Sequence, residues 1–159
     1  MHENSDRGPF GGEPHRIDAP TTAEGRELVG RVLQGQPEPV VEFAKFSVTE
    51  LVANAYVHGL GYTRDELAAA IEREELPSEV SLIVTLGQSE PSQKWYVILT
   101  VHDPNPDRPD WDRDPTDNMG ATGRGLAVVR VFATGYGAVS CGTGKDVFAE
   151  FEIDPPPGS

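Results

Sequence analysis

The stretch FAKFSVTELVANAYVHG, residues 43–59, decides how the chain folds. Set on a helix at about 100° per residue, Val41, Ala44, Val48, Leu51, Val52 and Ala55 fall on one side, which predicts a helix packed on a core. Glu50, Asn54 and His58 follow one another at i, i+4 and i+8 and so form a strip on a different side. A carboxylate, an amide and an imidazole on one strip suit either a solvated helix face or a site. What lies downstream decides between them.

Working outward toward the N-terminus, residues 1–21 are rich in Gly, Pro and charge and read as a disordered tail, with a short strand conceivable at His15–Asp18. His2 and His15 fall in this tail as plain solvated side chains. Thr21 or Thr22 offers a hydroxyl N-cap to a helix reaching about Gln34, whose apolar side is Leu28, Val29, Val32 and Leu33. Gly35 and Pro37 end it. The organising helix then runs from about Pro39 to His58 and stops at Gly59 and Gly61.

Toward the C-terminus, YTRDELAAAIEREEL (62–76) is helical by propensity, with Thr63 and Glu66 spaced as a capping box. Its acidic face reads as solvated surface. Residues 81–86 and 95–102 are β-branched and aromatic runs joined by the polar QSEPSQK, the pattern of an antiparallel hairpin. Asp103 closes the second run where Pro104 and Pro106 forbid further ladder pairing, a usual place for a ligand-facing carboxylate.

Residues 104–121 carry four prolines and many Asp and Arg but no apolar periodicity, which predicts a long lid or binding loop. Trp111 is its one large apolar side chain. Gly123, Arg124 and Gly125 lead into LAVVRVF, an apolar helix, and a glycine turn feeding a helix N-terminus leaves backbone N–H groups for an anion. A short strand at Ala138–Cys141, a GTGK turn and an alternating strand at Asp146–Ile153 complete the chain before a tail at 154–159.

The composition bounds the function. The 159 residues suit one domain, and 13 basic against 26 acidic residues give a net charge of −13. Such a field disfavours nucleic acid and anionic membranes and favours small ligands or basic protein surfaces. The single cysteine, Cys141, excludes an internal disulfide, fits a reducing cytoplasm and reads as packing on or near a strand, with no suitably spaced His to make a metal site. No signal peptide or membrane-length apolar run is apparent, so a cytoplasmic location is expected.

Taken in order, ELVANAYVHG (50–59), VHDPNP (101–106), TGRGLAVV (122–129) and GKDVFAEFEI (144–153) resemble the N box, the two glycine boxes and the terminal strand of the GHKL (Bergerat-fold) ATP-binding domain. The closest likeness is to the small bacterial anti-sigma-factor serine/threonine kinases, and it covers about residues 22–153. It implies a two-layer α/β sandwich, a mixed, mostly antiparallel sheet with helices on one face, and an ATP lid at 104–122. It also implies ATP and Mg²⁺ as ligands. Asp103 would accept from the adenine amino group, Asn54 would offer its amide oxygen to Mg²⁺, and Gly123, Arg124, Gly125 and Leu126 would hold phosphates through backbone donors. Glu50, one turn before Asn54, would be the base for the attacking hydroxyl, and the partner would be an anti-anti-sigma or sigma-factor protein. His58 reads as structural, finishing the helix, and Lys145 as a turn residue in preference to one that approaches a phosphate.

Three features depart from the resembled pattern. Pro104-Asn105-Pro106 follows Asp103 where glycine is usual, which alters the lid hinge. The helix near 63–76 is extra. Asp146 stands where a threonine commonly helps to hold adenine; strand alternation leaves its facing open, and only if it faces the base does a second carboxylate lie near Asp103 and guanine become conceivable. The expected activity is phosphorylation of a partner serine, with a non-catalytic ATP-dependent binding module or a stand-alone histidine-kinase catalytic fragment as alternatives. Homodimerisation stays open.

Overall fold

The computed structural model describes residues 13–107, 109 and 121–158, with residues 121–124 described by their backbone. The chain forms β1 (His15–Asp18), α1 (Thr22–Val32), α2 (Glu38–Asn54), a π-helical turn (Ala55–Gly59), α3 (Arg64–Glu72), β2 (Ser81–Gln88), β3 (Trp95–Asp103), α4 (Ala121–Phe132), β4 (Gly135–Cys141) and β5 (Gly144–Ile153). The five strands make one open sheet in the order β1-β2-β3-β5-β4. Every pairing in it is antiparallel. The expected mixed sheet is thus antiparallel throughout. α4 carries the chain two places past β3 to the edge, and the β4–β5 hairpin returns to fill the gap.

Strand alternation separates the two faces. Val97, Leu99 and Val101 of β3 and Val147, Ala149 and Phe151 of β5 are buried with Leu82 and Val84 of β2 in the core. Against them pack Leu28, Val29 and Leu33 at α1 and Val48, Leu51, Val52 and Tyr56 from α2 and its π-helical extension. Each fully buried side chain of this size contributes about 1.5–3 kcal/mol. The predicted apolar side of residues 41–55 is therefore the layer contact, and the structure is the expected two-layer α/β sandwich.

Local chemistry fixes the helix starts. Thr21 Oγ1 accepts from Glu24 N at 3.0 Å and Glu24 Oε1 accepts from Thr21 N at 3.0 Å, a complete capping box. Thr63 Oγ1 accepts from Glu66 N at 3.1 Å at the head of α3. The short strand conceivable at His15–Asp18 is present. His15–Asp18 pair with Ser81–Val84 as an edge strand, and the buried Tyr56 hydroxyl donates to Pro20 O at 2.7 Å, so the ordered chain begins well before residue 22. Residues 1–12 of the expected disordered tail lie outside the described residues. At the other end Gln36 clamps Asp154 with paired bonds of 2.9 and 2.8 Å, which ties the start of the C-terminal tail to the loop after α1.

Candidate functional site

The strip on α2 is not a simple solvated face. Glu50 is half-buried, Asn54 is 4% exposed and His58 is exposed. Immediately after Asn54 the α-helix widens into the π-helical turn, a device that often marks sites because it re-aims the chain within a continuous helix. Its last residue, Gly59, covers the carboxyl of Asp103: a Cβ at Gly59 would come within 2.9 Å of Asp103 Cγ. Glycine is required for that approach.

Asp103 ends β3 on the helix-facing side and is completely buried. Lys145, paired with it in register on β5, brings Nζ within 3.0 Å of Oδ1. Asn105 N donates to the same oxygen at 2.9 Å, closing an Asx turn, and Asp107 N repeats the geometry on Asn105 Oδ1 at 2.8 Å. Pro104 and Pro106 occupy the middle positions of these tandem turns, where no N–H is needed. Lys145 also donates to Asn105 O at 2.7 Å. The other carboxylate oxygen, Asp103 Oδ2, is buried with no hydrogen-bond partner among the described residues. A buried acceptor left without a donor costs about 1–3 kcal/mol.

Two sequence expectations change here. Lys145 is not a turn residue: it lies on β5 as the buried counter-ion of Asp103, 4% exposed. Asp146 does not stand beside Asp103. Successive strand residues point to opposite faces, so Asp146 lies on the far side of the sheet, where Oδ1 meets His102 Nδ1 at 2.8 Å. The like-charge pair, and the case for guanine built on it, lose their basis.

At the opposite end of the strip, Glu50 sits against the first turns of α4. A Cβ at Gly125 would overlap the Glu50 carboxyl, so the missing side chain is what lets the two helices meet there. Burial raises the Glu50 pKa above the ordinary carboxylate value of 4.5, and the Arg64 guanidinium at the start of α3 partly opposes this. Glu50 and Arg64 also border a cavity of about 300 Å³ between α2 and α3, lined by Ala53, Val57, Leu67, Ala68 and Ile71.

α4 begins at Ala121, five residues before the predicted LAVVRVF segment. Gly123 therefore falls in its first turn, among the N–H groups a helix leaves unpaired, whereas Arg124, Gly125 and Leu126 come later, where the amides bond within the helix. Leu126 is a core side chain, 3% exposed. The Arg124 side chain and most of the 104–122 lid, Trp111 included, lie outside the described residues.

From Glu50 to Gly59 is nine helical positions, about 13 Å along the axis at 1.5 Å each. One end of that span holds a carboxylate of raised basicity beside a helix N-terminus. The other holds a buried, half-satisfied carboxylate under a glycine, with Asn54 between them. The chain matches no protein-family model, and no curated protein is significantly similar to it.

Proposed function

We propose that the chain is a GHKL-type Mg-ATP-binding domain that acts as an anti-sigma-type serine/threonine kinase, transferring the γ-phosphoryl group of ATP to a serine of a protein partner. The observation that carries this reading is the orphaned Asp103 Oδ2. A buried acceptor with no donor among the described residues, flanked by a glycine that permits close approach, fits the exocyclic amino group of adenine. The roughly 13 Å to Glu50 suits an extended nucleoside triphosphate, with its phosphates toward the first turn of α4. Asn54 has the hard oxygen donor that Mg²⁺ accepts, and the bound ion would neutralise phosphate charge.

In this reading Glu50 takes the proton of the attacking hydroxyl. Its raised pKa makes the carboxylate a stronger base than a solvated one, and the cavity it borders gives room for an acceptor side chain. Asp103, pinned by Lys145 and Asn105, orients the base without rotating. The partner is an anti-anti-sigma or sigma-factor protein, and the acidic surface favours a basic contact face on it. A cytoplasmic setting belongs to this proposal. Among the described residues no helix is long and apolar enough to cross a membrane.

Thermal unfolding with and without Mg-ATP tests the site. A ligand at about 100 times its Kd stabilises by about 2.7 kcal/mol, several degrees for a domain of this size. A shift in the natural chain that is lost in Asp103→Asn supports the reading, and an unchanged midpoint at millimolar Mg-ATP rejects it.

A further inference from the structure

The face of the sheet away from the helices carries a second constellation. His102 on β3, Asp146 on β5 and Cys141 at the end of β4 come from three adjacent strands, and one ligand atom from each lies within 4.8 Å of the others. Their partner groups on the strands fix them: His102 is directly opposite Asp146, and Cys141 is opposite Gly144, two residues before Asp146. His102 and Asp146 are partly exposed and Cys141 is exposed, so an ion can enter from solvent.

The geometry points to a Zn²⁺ site formed by His102, Cys141 and Asp146, with water as the fourth ligand. A thiolate, an imidazole and a carboxylate are the donors zinc selects, and three protein ligands plus water is a familiar tetrahedral set. Bond lengths of about 2.0–2.3 Å put tetrahedral ligand atoms roughly 3.3–3.6 Å apart. His102 Nδ1 and Asp146 Oδ1, 2.8 Å apart, have to open and Cys141 Sγ has to close from at most 4.8 Å, shifts that rotation of these partly or fully exposed side chains covers. Mg²⁺ does not suit this donor set, because it takes oxygen ligands and holds its waters. The site is therefore chemically separate from the nucleotide site, which lies on the opposite face of the same two strands. The net charge of −13 adds a field that concentrates cations. Binding releases the thiol proton of Cys141 to solvent, leaving thiolate on the metal.

Cobalt provides the test, because Cys141 is the chain's single cysteine and a thiolate-to-cobalt charge-transfer band reports that side chain alone. The full chain, kept reduced with a phosphine, is titrated with Co²⁺ in the absence of nucleotide. The expected result is a band that saturates at one cobalt per chain, vanishes in Cys141→Ser, weakens at least about tenfold in apparent affinity in His102→Ala and Asp146→Ala, and is displaced by Zn²⁺. All three variants alter the exposed face and are checked for unchanged far-ultraviolet circular dichroism. Cobalt uptake without the band, one cobalt per two chains, or a band that survives both His102→Ala and Asp146→Ala would each overturn the site.

Discussion

Lys145 Nζ lies 3.0 Å from Asp103 Oδ1, and both side chains are almost wholly withdrawn from solvent. The β3–β5 register sets the two opposite each other, so the carboxylate proposed to read a nucleobase is held by an ion pair built into the sheet. A pair of this kind is costly to break from one side, since the survivor is left charged and dry. Lys145→Met is expected to destabilise the chain by about 3–5 kcal/mol. The double variant Asp103→Leu/Lys145→Met should recover most of that loss while remaining unable to bind ATP, a non-additivity that urea unfolding of the four chains measures.

Glu50 gives a pH signature. Its folded-state pKa is raised, so the folded chain holds this proton more tightly than the unfolded one, and stability falls as pH rises from the ordinary value through the folded value. Glu50→Gln removes that penalty. The variant should melt higher than the natural chain at pH 7, with the difference vanishing below about pH 4, where both states are protonated. The same variant should bind Mg-ATP and fail to transfer phosphate. Full transfer by Glu50→Gln would remove it as the base.

Arg64 opposes that raised pKa from α3, the helix that departs from the resembled pattern. Arg64→Met should push the acid limb of the transfer rate to higher pH while leaving nucleotide affinity unchanged. An unmoved limb would mean that α3 does not tune Glu50.

Gly125→Ala introduces a methyl group where the Glu50 carboxyl lies. Overpacking of this kind costs about 1–3 kcal/mol, and because Glu50 is displaced, transfer should drop further than stability does. Gly125→Ala combined with Glu50→Ala should regain stability without regaining transfer. Differential scanning calorimetry alongside a phosphate-transfer assay separates the two effects.

Much of this architecture is legible in the sequence because it depends on local chemistry. The apolar stripe of α2 sets the layer contact, Thr21 and Thr63 announce helix starts, and Pro104 and Pro106 stop β3 at Asp103. What could not be read depends on register. Nothing local says that Lys145 rather than Asp146 shares a face with Asp103, because a shift of one residue exchanges them. For the same reason Cys141 gave no sign of His102, 39 positions earlier, until three strands were aligned. The early start of α4 is not legible either, since glycines at 123 and 125 look like a turn when the Glu50 carboxyl that Gly125 accommodates is out of view.

The most direct test uses the natural chain and varies only the nucleotide. Calorimetric titration with Mg-ATP is compared with titration by the same triphosphate lacking the 6-amino group of the purine. If Asp103 Oδ2 takes its missing hydrogen bond from that amino group, the analogue should bind at least about tenfold more weakly, a difference of about 1.4 kcal/mol or more. Equal affinity for the two, or binding of neither, would contradict a nucleotide site at Asp103.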